Sequence, residues 1–220
     1  MLSLCPDRDL LLRSADGSHS PFDPWRLAWR DEAVPPGAAA PVAPVAAMGW
    51  LFARPDARRV PVAVIGPKAA TERHCAVAED LGAAIGRLRL PLITGGRSGV
   101  MEAASRGCLA AGGQPIGILP GEEWQTANDY VAIPLATGLG PARNAVIARA
   151  AFALVAIGGE YGTLSEMAFG LHFGRLVVAL ENAPEVAGAL RCDSVDSALE
   201  AVARRLFRLD GWAGEGGTGA

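Results

Sequence analysis

The chain contains few of the residues that mark several common classes of protein. Only one of its 20 basic residues, Lys68, is a lysine, and the formal net charge at pH 7 is −3. A protein that binds duplex nucleic acid or an anionic membrane electrostatically carries an excess of positive charge. The composition therefore predicts no nucleic acid and no membrane as a partner.

Cysteine is scarce too, and its spacing fits neither a metal site nor a disulfide framework. The four cysteines are far apart, without a C-x-x-C pair or a histidine at zinc spacing; they are Cys5, Cys75, Cys108 and Cys192. No apolar run approaches the ~20 residues of a membrane helix. Asp7 and Asp9 interrupt the region where a signal peptide has its apolar centre. We therefore expect free thiols, no metal and a cytoplasmic protein.

The glycine-rich segment at 158–163 matches neither of the two common nucleotide-binding motifs. It is not a G-x-G-x-x-G fingerprint, and it lacks the Lys-Ser/Thr pair of a Walker A loop. Residues 151–157 before it are apolar without alternation, which predicts a buried parallel strand, and residues 164–171 after it predict a helix. A glycine turn between the two leaves unpaired amides at the positive end of a helix dipole. Such a place suits an anion such as phosphate.

The rest of the chain divides into three parts. Residues 1–60 predict an N-terminal appendage, consisting of a small antiparallel hairpin and an Ala/Pro-rich connector. Apolar strands alternate with helices over residues 61–209. This alternation predicts an α/β fold, with a Rossmann-like, doubly wound, mostly parallel sheet and helices on both faces. Residues 210–220 are rich in glycine and predict a flexible tail.

Three glycine-bearing turns follow predicted strands and begin at Gly66, Gly95 and Gly158. The carboxyl ends of parallel strands meet at one edge, where open α/β sheets bind ligands. One interpretation is that each glycine only supplies a positive φ in a tight loop. The three turns together favour a phosphate-bearing small molecule as the ligand.

Two charged residues are candidates for chemistry at this edge. Arg143 lies in the first turn of a helix that Pro141 opens, where the dipole disfavours a cation. Either it is an exposed arginine, or it meets an anion. Glu166 follows Thr163 at the spacing of a capping box, which would account for it structurally. The other interpretation is a carboxylate at the ligand that handles a proton or holds a ribose hydroxyl.

The segments around these turns resemble the LOG, or lysine decarboxylase-like, family of the SLOG superfamily. Residues 94–103 resemble its GGG-x-x-G-L-M segment, and residues 159–166 resemble the end of its PGG-x-GT-x-x-E motif. Arg143 precedes Glu166 by the separation of the family's catalytic arginine and glutamate. Further segments are similar to a bacterial branch akin to the molybdenum cofactor carrier protein; these are residues 117–121, 133–140 and 142–144.

The resemblance implies a nucleotide or pterin phosphate at the glycine edge. In the phosphoribohydrolases of the family, the arginine and glutamate support cleavage of the N-glycosidic bond of a nucleoside 5′-monophosphate, which implies catalytic roles for Arg143 and Glu166. The implied ligand-binding residues are Gly66, Gly95, Gly96, Ser98, Gly99, Met101, Gly159, Glu160, Tyr161, Gly162 and Thr163. Two positions depart from the pattern, because Gly158 replaces a proline and Glu160 replaces a glycine. A carboxylate in a phosphate loop repels the phosphate unless it turns outward.

Three functional hypotheses follow. The protein is a phosphate-ligand-binding protein that hydrolyses nucleoside monophosphates, a non-catalytic carrier of molybdenum cofactor or a related pterin, or a degenerate member that acts through a partner. None requires a cofactor, and a bound nucleotide or molybdopterin-type molecule would be the ligand itself. The resemblance also implies a homodimer or higher oligomer. Small residues along the helix from 100 to 111 would allow close packing against the sheet or a partner.

Overall fold

The computed structural model describes residues 1–15 and 18–211, which divide into two compact units. One unit contains Met1–Arg59 and the described residues from Leu199 onwards, and the other is Val60–Ala198. The division therefore falls within the last helix, which the sequence analysis assigned wholly to the larger domain. Residues 16 and 17 of the predicted hairpin, and all but the first two residues of the tail predicted at 210–220, lie outside the described residues.

The first unit is built on a five-stranded antiparallel sheet. The spatial order is β4-β3-β2-β1-β5, and the strands are β1 (Leu2–Cys5), β2 (Leu10–Ala15), β3 (Ser18–Asp23), β4 (Ala28–Trp29) and β5 (Ala40–Pro41). Phe22, Trp29 and Phe207 form an aromatic cluster in this unit, and the Trp29 indole donates to the Phe207 carbonyl at 2.8 Å. Helix α1 (Pro44–Ala53), which the sequence analysis did not predict, begins with a proline whose missing N–H would be unpaired there anyway.

The second unit contains a sheet of seven parallel strands. The spatial order is β12-β11-β10-β6-β7-β8-β9, and the strands are β6 (Val62–Ile65), β7 (Leu92–Thr94), β8 (Ile116–Leu119), β9 (Ile133–Ala136), β10 (Ala153–Ile157), β11 (Leu176–Leu180) and β12 (Leu190–Arg191). Every residue of β6, β10 and β11 is buried. Burial on both faces explains why these strands are apolar without alternation.

Helices cover both faces of this sheet. They are α2 (Glu72–Arg87), α3 (Val100–Ala110), α4 (Arg143–Ala150), α5 (Tyr161–His172) and the beginning of α6 (Val195–Leu206). Helix α2 packs on α3, and α4 packs on α5. Strands β6 to β9 lie side by side in chain order and reach one edge of the sheet. The chain then crosses back to β10, which lies on the other side of β6, and β11 and β12 extend the sheet to the opposite edge. Right-handed crossovers in opposite directions place the two helix pairs on opposite faces, which confirms the predicted doubly wound fold.

The small residues of α3 are used within the chain, where they bring α3 very close to α2. A Cβ at Gly107 would lie 2.0 Å from the Glu79 carbonyl oxygen, and one at Gly82 would lie 2.1 Å from that of Ala104. The face that was expected to pack against the sheet or a partner is therefore packed against the neighbouring helix.

The described residues include no helix that is long and apolar enough to cross a membrane. The four cysteines are free thiols, and burial raises the pKa of the Cys108 thiol to about 11.

Candidate functional site

A cleft of about 550 Å³ opens at the carboxyl edge of the parallel sheet. It lies by the ends of the neighbouring strands β6 and β10, from which the chain builds the sheet in opposite directions. This is the topological switch point, where the loops diverge and open α/β sheets bind ligands. The lining residues are Gly66, Pro67, Lys68, Ala69, Met101, Pro120, Gly140, Pro141, Arg143, Asn144, Glu160, Gly162, Thr163 and Glu166.

The first turn of α5 forms part of the cleft wall. The helix begins at Tyr161, and Glu160 is its N-cap residue, with extended backbone and no hydrogen bond from its side chain to the helix end. Amides in the first turn of a helix have no partner within the helix, and the dipole places positive potential at them. Since Gly162 and Thr163 line the cleft, an anion in the cleft has access to this end of α5.

The early start of α5 also decides between the two interpretations of Glu166. Thr163 is the third residue of the helix and not its N-cap, so the predicted capping box does not form. Glu166 instead lies in the second turn, with its Oε1 atom 3.4 Å from Nη1 of Arg143. The capping-box interpretation was wrong, and the carboxylate belongs to the cleft wall.

Arg143 and Glu166 form a buried ion pair, and each is only 7% exposed. Arg143 also donates from Nη2 to the Gly95 carbonyl at 3.4 Å. A Cβ at Gly95 would lie 2.6 Å from both terminal nitrogens of Arg143, so the glycine is what allows the guanidinium to lie there. The buried Nε of Arg143 has no hydrogen-bond partner in the described part of the chain.

Burial dominates the protonation behaviour of this pair. It raises the pKa of the Glu166 carboxyl to about 7, against the opposing effect of Arg143. Burial also lowers the pKa of the Arg143 guanidinium; Glu166 opposes that shift, and the charge of Arg97 adds to it. Glu166 therefore exchanges a proton near neutral pH, which is the range in which a general acid or base is most effective.

The predicted site residues do not all reach the cleft. Seven of them line it, namely Gly66, Met101, Arg143, Glu160, Gly162, Thr163 and Glu166. Four glycines shape its surroundings. Gly95 contacts Arg143, Gly96 and Gly99 supply φ values of +67° and +71°, and Gly159 packs against Thr163. Ser98 is exposed and Tyr161 is 88% exposed, and neither lines the cleft.

Several lining residues were not predicted. Asn144 follows Arg143 and donates from its amide to Ser165 Oγ at 3.0 Å, which ties α4 to the first turn of α5. Lys68 lies in one of the three glycine-bearing turns that the sequence analysis identified. The sequence feature that could have marked it as a site residue is that it is the only lysine in the chain. Pro120 reaches the cleft on the loop after β8, and Gly140 and Pro141 reach it on a short 3₁₀ turn directly before α4.

The turn before α5 rests on a histidine ring. Gly158 has a φ of +57°, and a Cβ there would lie within 2.6 to 3.0 Å of three ring atoms of His74. The ring is held at the start of α2, because the Thr71 amide donates to His74 Nδ1 at 3.5 Å and the His74 amide donates to Thr71 Oγ1 at 3.1 Å. Proline, which the resemblance leads one to expect at 158, cannot adopt a positive φ.

Comparison with known proteins places the chain in a family. Residues 59–204 match the model of the SLOG cluster4 family. An uncharacterized protein from Archaeoglobus fulgidus is 38% identical over 120 residues, which are 54% of this chain and 79% of that protein.

Two solved structures are also similar to the chain. The molybdenum cofactor binding protein from Rippkaea orientalis has a TM-score of 0.62 and 33% identity, over 66% of this chain and 96% of that one. The molybdenum cofactor carrier protein from Chlamydomonas reinhardtii has a TM-score of 0.62 and 36% identity, over 68% of this chain and 99% of that one. The family match spans well over half of the sequence and includes the whole cleft, and the chain therefore belongs to the SLOG cluster4 family.

Proposed function

We propose that this protein binds a phosphate-bearing ligand in the cleft at the switch point, and that it serves as a carrier of molybdenum cofactor or a related pterin phosphate. The observation that carries the proposal is a cleft whose wall contains both the first turn of α5 and the buried Arg143. Two proteins named for binding or carrying that cofactor are similar to this chain over nearly their whole length, which supports the choice of ligand.

The chemistry of the cleft fits a planar ring joined to a phosphate. Its volume of about 550 Å³ lies within the range of roughly 300–1,000 Å³ that is typical of small-molecule sites. Apolar surface for a flat heterocycle comes from prolines and a methionine; these are Pro67, Met101, Pro120 and Pro141. The amides of the α5 first turn suit a phosphate.

The test is native mass spectrometry of the protein purified gently, followed by calorimetry with the ligand that it identifies. Arg143→Ala should weaken binding by about 1.5–3 kcal/mol, as for loss of a charge-assisted hydrogen bond. Arg149→Ala is the matched control, because Arg149 is on the same helix but lies over the Phe173 ring and does not line the cleft. A bound species without phosphate, or equal affinity in wild type and Arg143→Ala, would contradict the proposal.

A second candidate function is hydrolysis of a nucleoside 5′-monophosphate. The observation that favours it is the Arg143–Glu166 pair, in which burial holds the carboxyl pKa at about 7. A carboxyl that exchanges a proton at neutral pH can act as a general acid or base at a glycosidic bond. A carrier has no need of such a group.

Glu166→Gln separates the two functions, because it keeps the shape and removes the ionisable group. If the protein is a hydrolase, release of free base and ribose 5-phosphate should fall by roughly 10²-fold or more. Chromatography over a panel of monophosphates measures both products. If the wild-type protein releases no base from any of these monophosphates, the carrier function is the one that remains.

A further inference from the structure

Lys68 lies on a fixed loop at the cleft. Its side chain is exposed and lines the cleft just after β6. The Val100 amide donates to the Pro67 carbonyl at 3.2 Å, and a Cβ at Gly99 would lie 2.4 Å from the carbonyl oxygens of Pro67 and Lys68. The loop is thus packed tightly against the start of α3. A rigid backbone presents a flexible, cationic side chain to the ligand space.

The four charged residues of the cleft are not equivalent. Arg143 and Glu166 are buried and pair with each other at 3.4 Å, so the charge of Arg143 is offset from within the protein whenever Glu166 is ionised. Lys68 takes part in no ion pair within residues 1–15 and 18–211. It is therefore the cation of the cleft whose charge remains available to a ligand.

Glu160 makes such a cation necessary. This carboxylate lines the cleft at the N-cap of α5, where the related motif has a glycine. Its negative charge reduces the positive potential that the helix end offers to a phosphate. An ammonium group on another loop of the same cleft offsets that repulsion. A lysine suits this task because it is a compact charge on a flexible stem.

We infer that Lys68, together with the first turn of α5, binds the phosphate of the ligand, while Arg143 acts deeper in the cleft. This inference rests on the proposed function, because it assumes that a phosphate-bearing ligand occupies the cleft. It shifts the principal phosphate contact from the buried arginine to the exposed lysine.

Calorimetry with adenosine 5′-monophosphate and adenosine tests the role of Lys68, since the two probes differ only in the phosphate. Lys68→Gln should weaken binding of the monophosphate about 10-fold, as for a lost charge-assisted hydrogen bond, and leave adenosine unchanged. Lys68→Arg keeps the charge and should retain most of the affinity. Arg149→Gln, outside the cleft, should bind both probes as the wild type does.

The single lysine allows a direct check on location. Reductive methylation modifies only Lys68 and the amino terminus, and peptide mass spectrometry follows both rates. Inorganic phosphate should slow the reaction at Lys68 and not at the amino terminus. Equal affinity of Lys68→Gln and wild type for the monophosphate would overturn this inference and leave the proposed function standing. A wild-type protein that binds neither the monophosphate nor phosphate would also overturn this inference, and the native mass spectrometry described above tests the proposed function separately.

Discussion

The carboxyl group of Glu166 couples the stability of the protein to pH. Burial raises its pKa from an ordinary value of 4.5 to about 7, so the folded protein holds a proton that the unfolded chain has released. Stability falls with rising pH wherever the folded state binds more protons. The folded protein should therefore lose stability between about pH 4.5 and pH 7 through this group, and the loss should be complete above pH 7.

Glu166→Gln removes this dependence, because glutamine resembles the protonated carboxyl and never ionises. The difference in unfolding free energy between the variant and wild type should change by about 1–3 kcal/mol in favour of the variant as the pH rises from 5 to 8. Urea unfolding at both pH values measures the difference. The control is Glu79→Gln, because the hydrogen bond from Arg106 lowers the pKa of Glu79 and both states are ionised over this range. If the difference in unfolding free energy between Glu166→Gln and wild type is the same at pH 5 and pH 8, as is expected for Glu79→Gln, the argument from burial is contradicted.

At the scale of elements, the contact between α2 and α3 is the most sensitive to side-chain volume. A methyl group on Gly107 would lie 2.0 Å from a backbone oxygen of α2, so one helix must move. Gly107→Ala should lower the free energy of unfolding by about 1–3 kcal/mol, as overpacking of a core does. Chemical unfolding measures this loss.

Gly162→Ala is the matched control for that variant, since a Cβ at Gly162 meets nothing within 4 Å and its φ is not positive. It should leave stability unchanged or raise it by up to about 1 kcal/mol, through the better helix propensity of alanine. Equal losses for the two variants would contradict the argument that the close contact between α2 and α3 sets the cost of Gly107→Ala.

The pattern of apolar residues predicts most elements of the larger unit, because its central strands are continuous apolar runs and its helices alternate apolar and polar faces. Helix α5 is the exception, as the Thr163–Glu166 spacing suggested a start three residues later than Tyr161. Helix α1 was missed because proline and alanine also fit an extended connector, and β12 has only two residues.

Part of the candidate site was predictable from the sequence, because it depends on where the predicted strands end. Turns that follow parallel strands must meet at one edge, and this placed Gly66 and Gly162 near one another. Arg143 was singled out separately, by its place in the first turn of a helix. The burial of Glu166 against Arg143 needed the third dimension, because the same spacing also satisfies a local cap.

At the scale of the whole molecule, we expect a homodimer or higher oligomer. The resemblance implies one, and large apolar side chains are exposed on the helices that cover one face of the sheet, including Val146, Tyr161 and Phe169. Exposed apolar surface of this kind is used for association when it forms one patch. Light scattering coupled to gel filtration should give at least twice the mass of one chain. A monomer throughout the micromolar range would contradict this expectation.

The packing of His74 under Gly158 has a consequence for the evolution of the family. Only a residue without a side chain fits at 158 while the ring occupies its place, and a φ of +57° strains a residue that has a side chain. A chain with proline at 158 would need a different loop path, because the ring of proline fixes φ at a negative value. The turn would then meet the residue at position 74 in a different way. Positions 158 and 74 are therefore expected to vary together among related proteins.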